Sequence, residues 1–350
     1  MRVAIDISPL KSGHKFRGIG EYTKRLVCAL ENLKNKDLDI IIVEDPKEKI
    51  KDCDLIHYPY FDFFFSSLPF FKHKKTEVTI HDTIPLIFPR FYPSGVRGAL
   101  RLKMQKLSLL TASAVITDSV SSEKDIEKYL NYPKEKIYVA PLSQGKEFKV
   151  LKDEKAFSRI RNKYSLPERF VLYVGDVNYN KNVLSLVKAC KLNKITLVIA
   201  GRQARQKNFD KNHIENRPLA RLLERYGKDE DVKRVGFVED KDLVILYNLA
   251  EVYCQPSYYE GFGLPVLEAM ASGTPVVSSN KSSLPEAAGG AAILVDPENI
   301  EDIARGIRLA IEDHDLRQKL IDRGLKRSAE FSWEKTALKT YEVYKKVVQG

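Results

Sequence analysis

Cysteine is scarce in this chain, and the four that occur, Cys28, Cys53, Cys190 and Cys254, stand far apart. No C-x-x-C pair exists, so neither a zinc site nor a disulfide framework is signalled. A reducing compartment, the cytoplasm, is the simplest expectation. Long apolar runs are missing too. The most apolar stretch, 61–71, is broken by Asp62, Ser66 and Pro69, whereas a bilayer span needs about 20 apolar residues. The first strand-like residues reach a charge at Asp6, so no secretory signal is expected. A phosphate loop of the G-x4-G-K-S/T type is absent, as is the nucleophile elbow of a Ser-His-Asp hydrolase. Nucleic-acid-binding motifs are absent as well. Asp-x-Asp triplets occur at 37–39, 52–54, 229–231 and 240–242. They fall before strands or in charged loops and read as solvated faces, so no metal is expected.

Positive charge is plentiful. The formal net charge is +11, and it is uneven. Residues 1–165 carry 30 Lys+Arg against 21 Asp+Glu, and the remainder 28 against 26. A basic N-terminal half suits a phosphorylated substrate or an anionic membrane surface; a solvated Lys/Glu-rich surface is the plainer alternative. The length, 350 residues, is too great for one ordinary core and suits two domains.

Short apolar strands alternate with helix-length segments. RVAID (2–6), a helix at 18–33, DIIIV (39–43), DLIHY (54–58), EVTIHD (77–82), a helix at 95–111, AVITD (114–118), a helix at 119–130 and KIYVA (136–140) form one series. A charged stretch, 147–163, reads as a linker with one helical piece. The pattern then restarts with FVLYVGD (170–176), a helix at 181–191, ITLVIAG (195–201), VKRVGFV (232–238), EVYCQP (251–256), TPVVSS (274–279) and AAILVD (291–296). The tail, 299–348, reads as helical throughout. Alternating β and α with apolar strands indicates parallel sheets covered on both faces. Two such series indicate an α/β protein of two doubly wound, Rossmann-like domains, whose ligands bind beyond the carboxyl ends of the strands. The strand-to-helix turns, placed around one central cleft, are therefore where chemistry is expected.

One such turn is YYEGFGLPVLEAMASGT (258–274). Gly261 and Gly263 permit a close backbone approach, Pro265 suits a first helical turn, and Gly273 suits a helix end. Glu260 precedes the turn and Glu268 sits one turn into the helix. The exposed amides at the helix start favour an anion by about 0.3–1 kcal/mol per charge, while the carboxylates accept hydrogen bonds from vicinal hydroxyls. One turn of this kind can hold a sugar, a diphosphate and a ribose in series. A bare pair of glutamates at this spacing arises often by chance, as a capped helix with acids facing water; the whole string is more specific.

That string resembles the donor-site signature of the retaining, nucleotide-sugar-dependent glycosyltransferases of family 4, with the GT-B fold. RGIGEYTKRL, HDTIPLIFP, VITDSVSS, VGDVNYNKN and SSLPEAAGGAAILVDP appear in family order, so the resemblance covers almost the whole chain. It implies an N-terminal acceptor-binding domain over 1–160, a C-terminal nucleotide-sugar-binding domain over 161–332 and a final helix, 333–350, crossing back to the first domain, with hinges near 150–165 and in the tail. It implies that Glu260 contacts the transferred sugar and Glu268 the ribose. Backbone groups of Gly261, Phe262, Gly263 and Leu264 then hold sugar hydroxyls and phosphate, and Lys181 holds the diphosphate. The family's arginine, just after Gly175, is replaced by Asp176, and Asn180 fills another place where some members have Arg. Arg202 or Arg205 on the next turn, or Arg17 across the cleft, would supply the charge. In the first domain the resemblance places His81 against the transferred sugar.

Gly18 and Gly20 form a G-x-G that opens a helix after strand one, where the backbone can approach phosphate or sugar. Thr23 stands where a dinucleotide fingerprint needs its third glycine, so NAD is not supported. The aromatic stretch 54–75 ends in Lys72, His73, Lys74 and Lys75. It suits a membrane interface or an acceptor cradle, or a loop packed on its own domain, and His57 within it suits either role. The function expected is transfer of a hexose, mannose from GDP-mannose or a sugar from a UDP-sugar, to a glycan or polyprenyl-linked glycan, by a protein with no resident cofactor, cytoplasmic or peripheral on the inner face of the cell membrane. Catalysis is expected from Glu260, Lys181 and His81. The alternatives are a nucleotide-sugar epimerase of the same fold and a glycan-binding module with a degenerate donor site.

Overall fold

The computed structural model describes residues 1–10, 18–44 and 52–350. The chain divides into two compact units, one of Met1–Leu142 with Phe331–Gly350 and one of Ser143–Glu330.

The first unit contains β1 (Arg2–Asp6), β2 (Asp39–Val43), β3 (Leu55–Tyr58), β4 (Lys75–Thr79), β5 (Ala114–Thr117) and β6 (Ile137–Val139), with α1 (Gly18–Asn32), α2 (Ile84–Ile87), α3 (Gly95–Leu110) and α4 (Val120–Leu130) between them. The strands are parallel, in the order β2-β1-β3-β4-β5-β6. Every residue of β5 is buried, the mark of a strand covered on both faces.

The second unit begins with α5 (Glu154–Tyr164). It continues through β7 (Phe170–Val174), α6 (Val183–Leu192), β8 (Thr196–Ala200), α7 (Arg217–Tyr226), β9 (Val232–Gly236), α8 (Asp240–Leu249), β10 (Val252–Gln255), α9 (Leu264–Ala271), β11 (Val276–Ser279), α10 (Leu284–Ala288), β12 (Ile293–Val295), α11 (Ile300–Glu312) and α12 (His314–Ala329). These strands are also parallel, in the order β12-β11-β10-β7-β8-β9. β10 and β11 are buried along their whole length. The final helix, α13 (Trp333–Gln349), belongs to the first unit: Tyr344 and Ala337 are fully buried there, and Thr336 donates to the Pro141 carbonyl at 2.7 Å.

Four expectations differ in detail. β4 ends at Thr79, so His81 and Asp82 lie beyond the strand. The tail is three helices, because Asp313 and Ser332 leave helical geometry and cap the next helix, accepting from the amides of Leu316 and Lys335. Residues 143–160 group with the second unit, where the Leu151 amide bonds Asn248 and the Phe148 ring packs edge-on against Tyr247. The triplet at 240–242 is not a solvated face: Asp242 is only 1% exposed and accepts from Lys163 and Tyr164.

The strand order decides where function sits. In the second sheet the chain runs outward from β7 to β8 and β9, then returns to the other side of β7 with β10. The helices following β7 and β10 therefore diverge, and the carboxyl ends of these two strands open a crevice, the topological switch point at which open parallel sheets take ligands.

Candidate active site

Two asparagines build the β7 side of that crevice. After β7 the chain makes a tight turn at Tyr179–Lys181 and enters α6 through Asn182, whose φ is 54°. Asn adopts this left-handed geometry more readily than most residues. The Asn182 amide donates to the carbonyls of Pro256 (3.1 Å) and Pro297 (2.7 Å). Asn180 donates to the Tyr259 carbonyl at 2.9 Å, and its own carbonyl accepts from the Tyr258 amide at 2.7 Å. Both are buried. They stitch the loop after β7 to the loop after β10 on either side of Lys181, and the lysine is thereby aimed at Glu260.

Lys181 Nζ lies 2.6 Å from Glu260 Oε2. Glu260 Oε1 accepts from Ser257 Oγ at 2.6 Å and Gln255 Nε2 at 2.9 Å. A carboxylate this buried, 6% exposed, would be costly without partners; three donors, one of them cationic, compensate it. The loop around it is fixed by the turn after β11. Ser282 Oγ accepts from the Glu260 amide, and Ser283 Oγ bonds the carbonyls of Glu260 and Phe262.

Gly263 precedes α9 with φ 105°, a conformation that penalises any β-carbon. A β-carbon there would also come within 2.7 Å of the Leu284 side chain. Gly261 is not among the residues of positive φ, so only one glycine of the pair is demanded by backbone geometry. Pro265 occupies the first turn of α9. Leu264 starts the helix, so its amide belongs to the set that an α-helix cannot satisfy internally. Glu268, one turn inside, accepts from the Tyr247 hydroxyl at 2.8 Å. Burial and the Glu268 carboxylate push the Tyr247 phenol well above its usual range, so that hydroxyl remains a donor that orients the acid.

Lys181, Glu260, Phe262, Gly263, Leu264 and Glu268 thus gather on the β7 and β10 loops and the start of α9. The loop after β8 lies against that after β7, since a β-carbon on Gly201 would sit 2.0 Å from the Gly175 carbonyl oxygen. It carries Arg202 and Arg205, both exposed. Asp176, half-buried, accepts at its carbonyl from Tyr173 at 2.8 Å. Asn180, standing where the resemblance has arginine, uses its amide to hold the neighbouring loop. Arg17 lies outside the described residues.

His81, Gly18 and Gly20 belong to the first unit. His81 Nδ1 lies 2.8 Å from Asp118 Oδ2, and Tyr22 packs edge-on against its ring at 4.5 Å. Burial alone lowers the imidazole pKa, but the Asp118 carboxylate outweighs it and the net shift is upward. A backbone bond to Pro59 raises the pKa further, and Nε2 is buried. Gly18 opens α1, and a β-carbon there would meet nothing within 4 Å among the described residues. Gly20 is buried in the same helix. His57 is structural: fully buried, it bonds Tyr344 and Thr79 at 2.7 Å each, and burial pushes it down to about 3.

Sequence reasoning passed over Gln255, Ser257, Asn182, Ser282, Ser283 and Tyr247. The signal for the two serines was the run at 282–283, directly after β11, but its meaning depends on β11 lying beside β10, which a one-dimensional pattern does not state.

Residues 154–327 match the family described as "Glycosyl transferases group 1". The chain is 30% identical over 296 residues to the "O-antigen chain mannosyltransferase B" of Escherichia coli, covering 82% of this chain and 75% of that protein. It is 31% identical over 279 residues to the "Serotype-specific mannosyltransferase WbdA" of Escherichia coli, covering 79% of this chain and only 34% of that longer protein. Among solved structures, the sucrose-phosphate synthase of Thermosynechococcus elongatus superposes with a TM-score of 0.73 at 22% identity, over 99% of this chain and 98% of that one.

Proposed function

Starting from the fact that this chain belongs to the group 1 glycosyltransferases, of GT-B fold, we propose that it transfers mannose from GDP-mannose to a glycan or polyprenyl-linked glycan with retention at the anomeric carbon. The observation that carries this reading is the contact between Lys181 and Glu260 at the β7/β10 switch point, 2.6 Å long, with the carboxylate buried and the lysine half-buried. The mannose donor is supported by the names of the relatives that match most of the chain.

Glu260 keeps two neutral donors, Ser257 and Gln255, on Oε1 when Lys181 is drawn away. A nucleoside diphosphate entering the crevice offers Lys181 a doubly charged competitor. Lys181 then turns to the phosphates, and Oε2 of Glu260 is released to accept from a hydroxyl of the transferred sugar. The start of α9, with the backbone of Gly261, Phe262, Gly263 and Leu264, adds amides aimed at the leaving group. Glu268, oriented by Tyr247, accepts from the ribose hydroxyls. Arg202 on the β8 loop supplies the cation that Asp176 does not. As the glycosidic bond breaks, negative charge grows on the diphosphate, and donors already in place there speed the step. Fixed cations and amides take this load, so neither a metal nor a resident cofactor is required. In the first unit, Asp118 fixes the proton of His81 on Nδ1, so Nε2 would accept from a sugar hydroxyl once a ligand reaches it; Gly18 opens α1, where the backbone can approach a ligand.

Incubation with GDP-mannose and a short mannoside acceptor, followed by proton NMR of the product, tests the reading. An α-linked mannoside is expected, with little transfer from UDP-glucose. A β-linked product refutes retention; no transfer from any nucleotide sugar refutes the donor site.

A further inference from the structure

Large apolar side chains on the surface are concentrated in one place. Of the fifteen that are exposed among the described residues, eight lie within residues 65–110: Phe65, Phe70, Phe71, Val96, Leu100, Met104, Leu107 and Leu110. The last five sit on α3 at steps of four, four, three and three, which is one face of a helix. Val96 is 90% exposed and Phe71 77%. The opposite face, Gly98, Gln105 and Leu109, is buried in the first unit. α3 therefore packs one face on its own domain, with Gln105 and Ser108 hydrogen-bonded there, and leaves its apolar stripe exposed.

The charges on α3 itself have a single sign; the neighbouring acid, Asp62, is taken up by the amides of Phe64 and Phe65. α3 carries Arg97, Arg101, Lys103 and Lys106 and no acidic residue. The phenylalanines are tied to the helix at two places. The Arg101 guanidinium lies 5.5 Å from the Phe65 ring centre. Lys72, directly after Phe71, bonds Ser108 and Thr111 at the end of α3. The exposed apolar stripe thus has Phe65 beside Arg101, Phe70 and Phe71 next to the lysine that caps its far end, and cations along it.

We propose that α3, with Phe65, Phe70 and Phe71, is an interfacial helix that docks the protein on an anionic lipid bilayer. Apolar side chains of this number, flanked by Lys and Arg, match a surface whose acyl boundary lies just beneath a layer of negative headgroups. A second copy of this chain is the poorer occupant, because a symmetric contact on this face sets four cations against four. No helix among the described residues is long and apolar enough to cross a membrane, so contact by α3 lies in the interface plane. The inference goes beyond the transferase reading and does not depend on which sugar is moved; it assigns the place where a lipid-carried acceptor is met.

Vesicle flotation of the full chain tests it, with phosphatidylglycerol-rich vesicles, pure phosphatidylcholine vesicles, and a paired variant, Leu100→Glu with Leu107→Glu. The unaltered chain is expected to float with the anionic vesicles at low salt, and at least about tenfold less on phosphatidylcholine or at high salt, where charges are screened within a few ångströms. The variant is expected to lose at least about tenfold in partitioning. Its activity on a short soluble acceptor and its melting temperature remain unchanged, since both side chains are exposed. Absence of flotation by the unaltered chain overturns the proposal, as does equal flotation by the variant. A dimer that the variant turns into a monomer overturns it too, by assigning the face to a second copy. If the paired variant does not fold, Leu107→Trp with bromine-labelled anionic lipid reads the same contact: quenching beyond that of Trp333 supports insertion, and its absence refutes it.

Discussion

At the scale of single residues, the first unit holds a buried polar cluster with a measurable consequence. His57 bonds Thr79 and Tyr344, Thr79 also bonds Tyr22 at 3.0 Å, and Glu77 Oε1 lies 3.8 Å from His57 Nε2. Glu77 is fully buried, and burial raises its pKa well above the ordinary 4.5; the same burial takes His57 from 6.5 to about 3. Burial disfavours the charged form of each. Between these two histidine values the unfolded chain binds the proton and the fold does not. The contribution of His57 is therefore fully present above pH 6.5 and is lost as pH falls toward 3, at up to about 1.4 kcal/mol per pH unit. Glu77 acts in the opposite direction, since above 4.5 only the unfolded carboxyl ionises. His57→Gln removes the first effect alone. Urea midpoints from pH 7 to 4 are expected to fall less steeply in this variant than in the unaltered chain; parallel curves would contradict the buried neutral imidazole. The sequence showed His57 at a strand end but left its role open, because its partner Tyr344 is 287 residues away. Glu260 and Glu268 were legible, since their spacing around a glycine turn and a proline is local. Their donors were not: Ser257 and Gln255 are ordinary polar residues until the chain folds them around a carboxylate.

At the scale of elements, the strands were read well because burial on both faces leaves continuous apolar runs. Helix breaks in the tail were missed because Asp313 and Ser332 look like any polar residue on a helical face; only their capping bonds to Leu316 and Lys335 distinguish them. The start of α9 is the element on which the candidate site depends. Gly263 sits at φ 105° against Leu284. Gly263→Ala is expected to cost about 1–3 kcal/mol for the backbone conformation alone, with further loss from the contact, as read by urea denaturation. The same change is expected to weaken nucleotide binding, because α9 must shift. Unchanged stability would mean that the turn relaxes freely and that its geometry is not imposed.

At the scale of the whole molecule, two sheets were legible from the restart of the βα pattern, but the order of strands within them was not. No local signal states that β10 returns to lie beside β7, and that return is what unites Lys181 with Glu260 across 79 residues. The positive charge was visible in the composition, yet its concentration on α3 beside exposed apolar residues appears only when burial is known. The donor site itself is tested most directly by titration calorimetry of GDP and UDP into the unaltered chain and into Lys181→Ala. GDP is expected to bind the unaltered chain and to bind the variant at least about tenfold more weakly, a difference of about 1.4 kcal/mol. Equal affinity for the two proteins, or no binding of either nucleotide to the unaltered chain, would contradict a diphosphate held by Lys181 at the β7/β10 switch point.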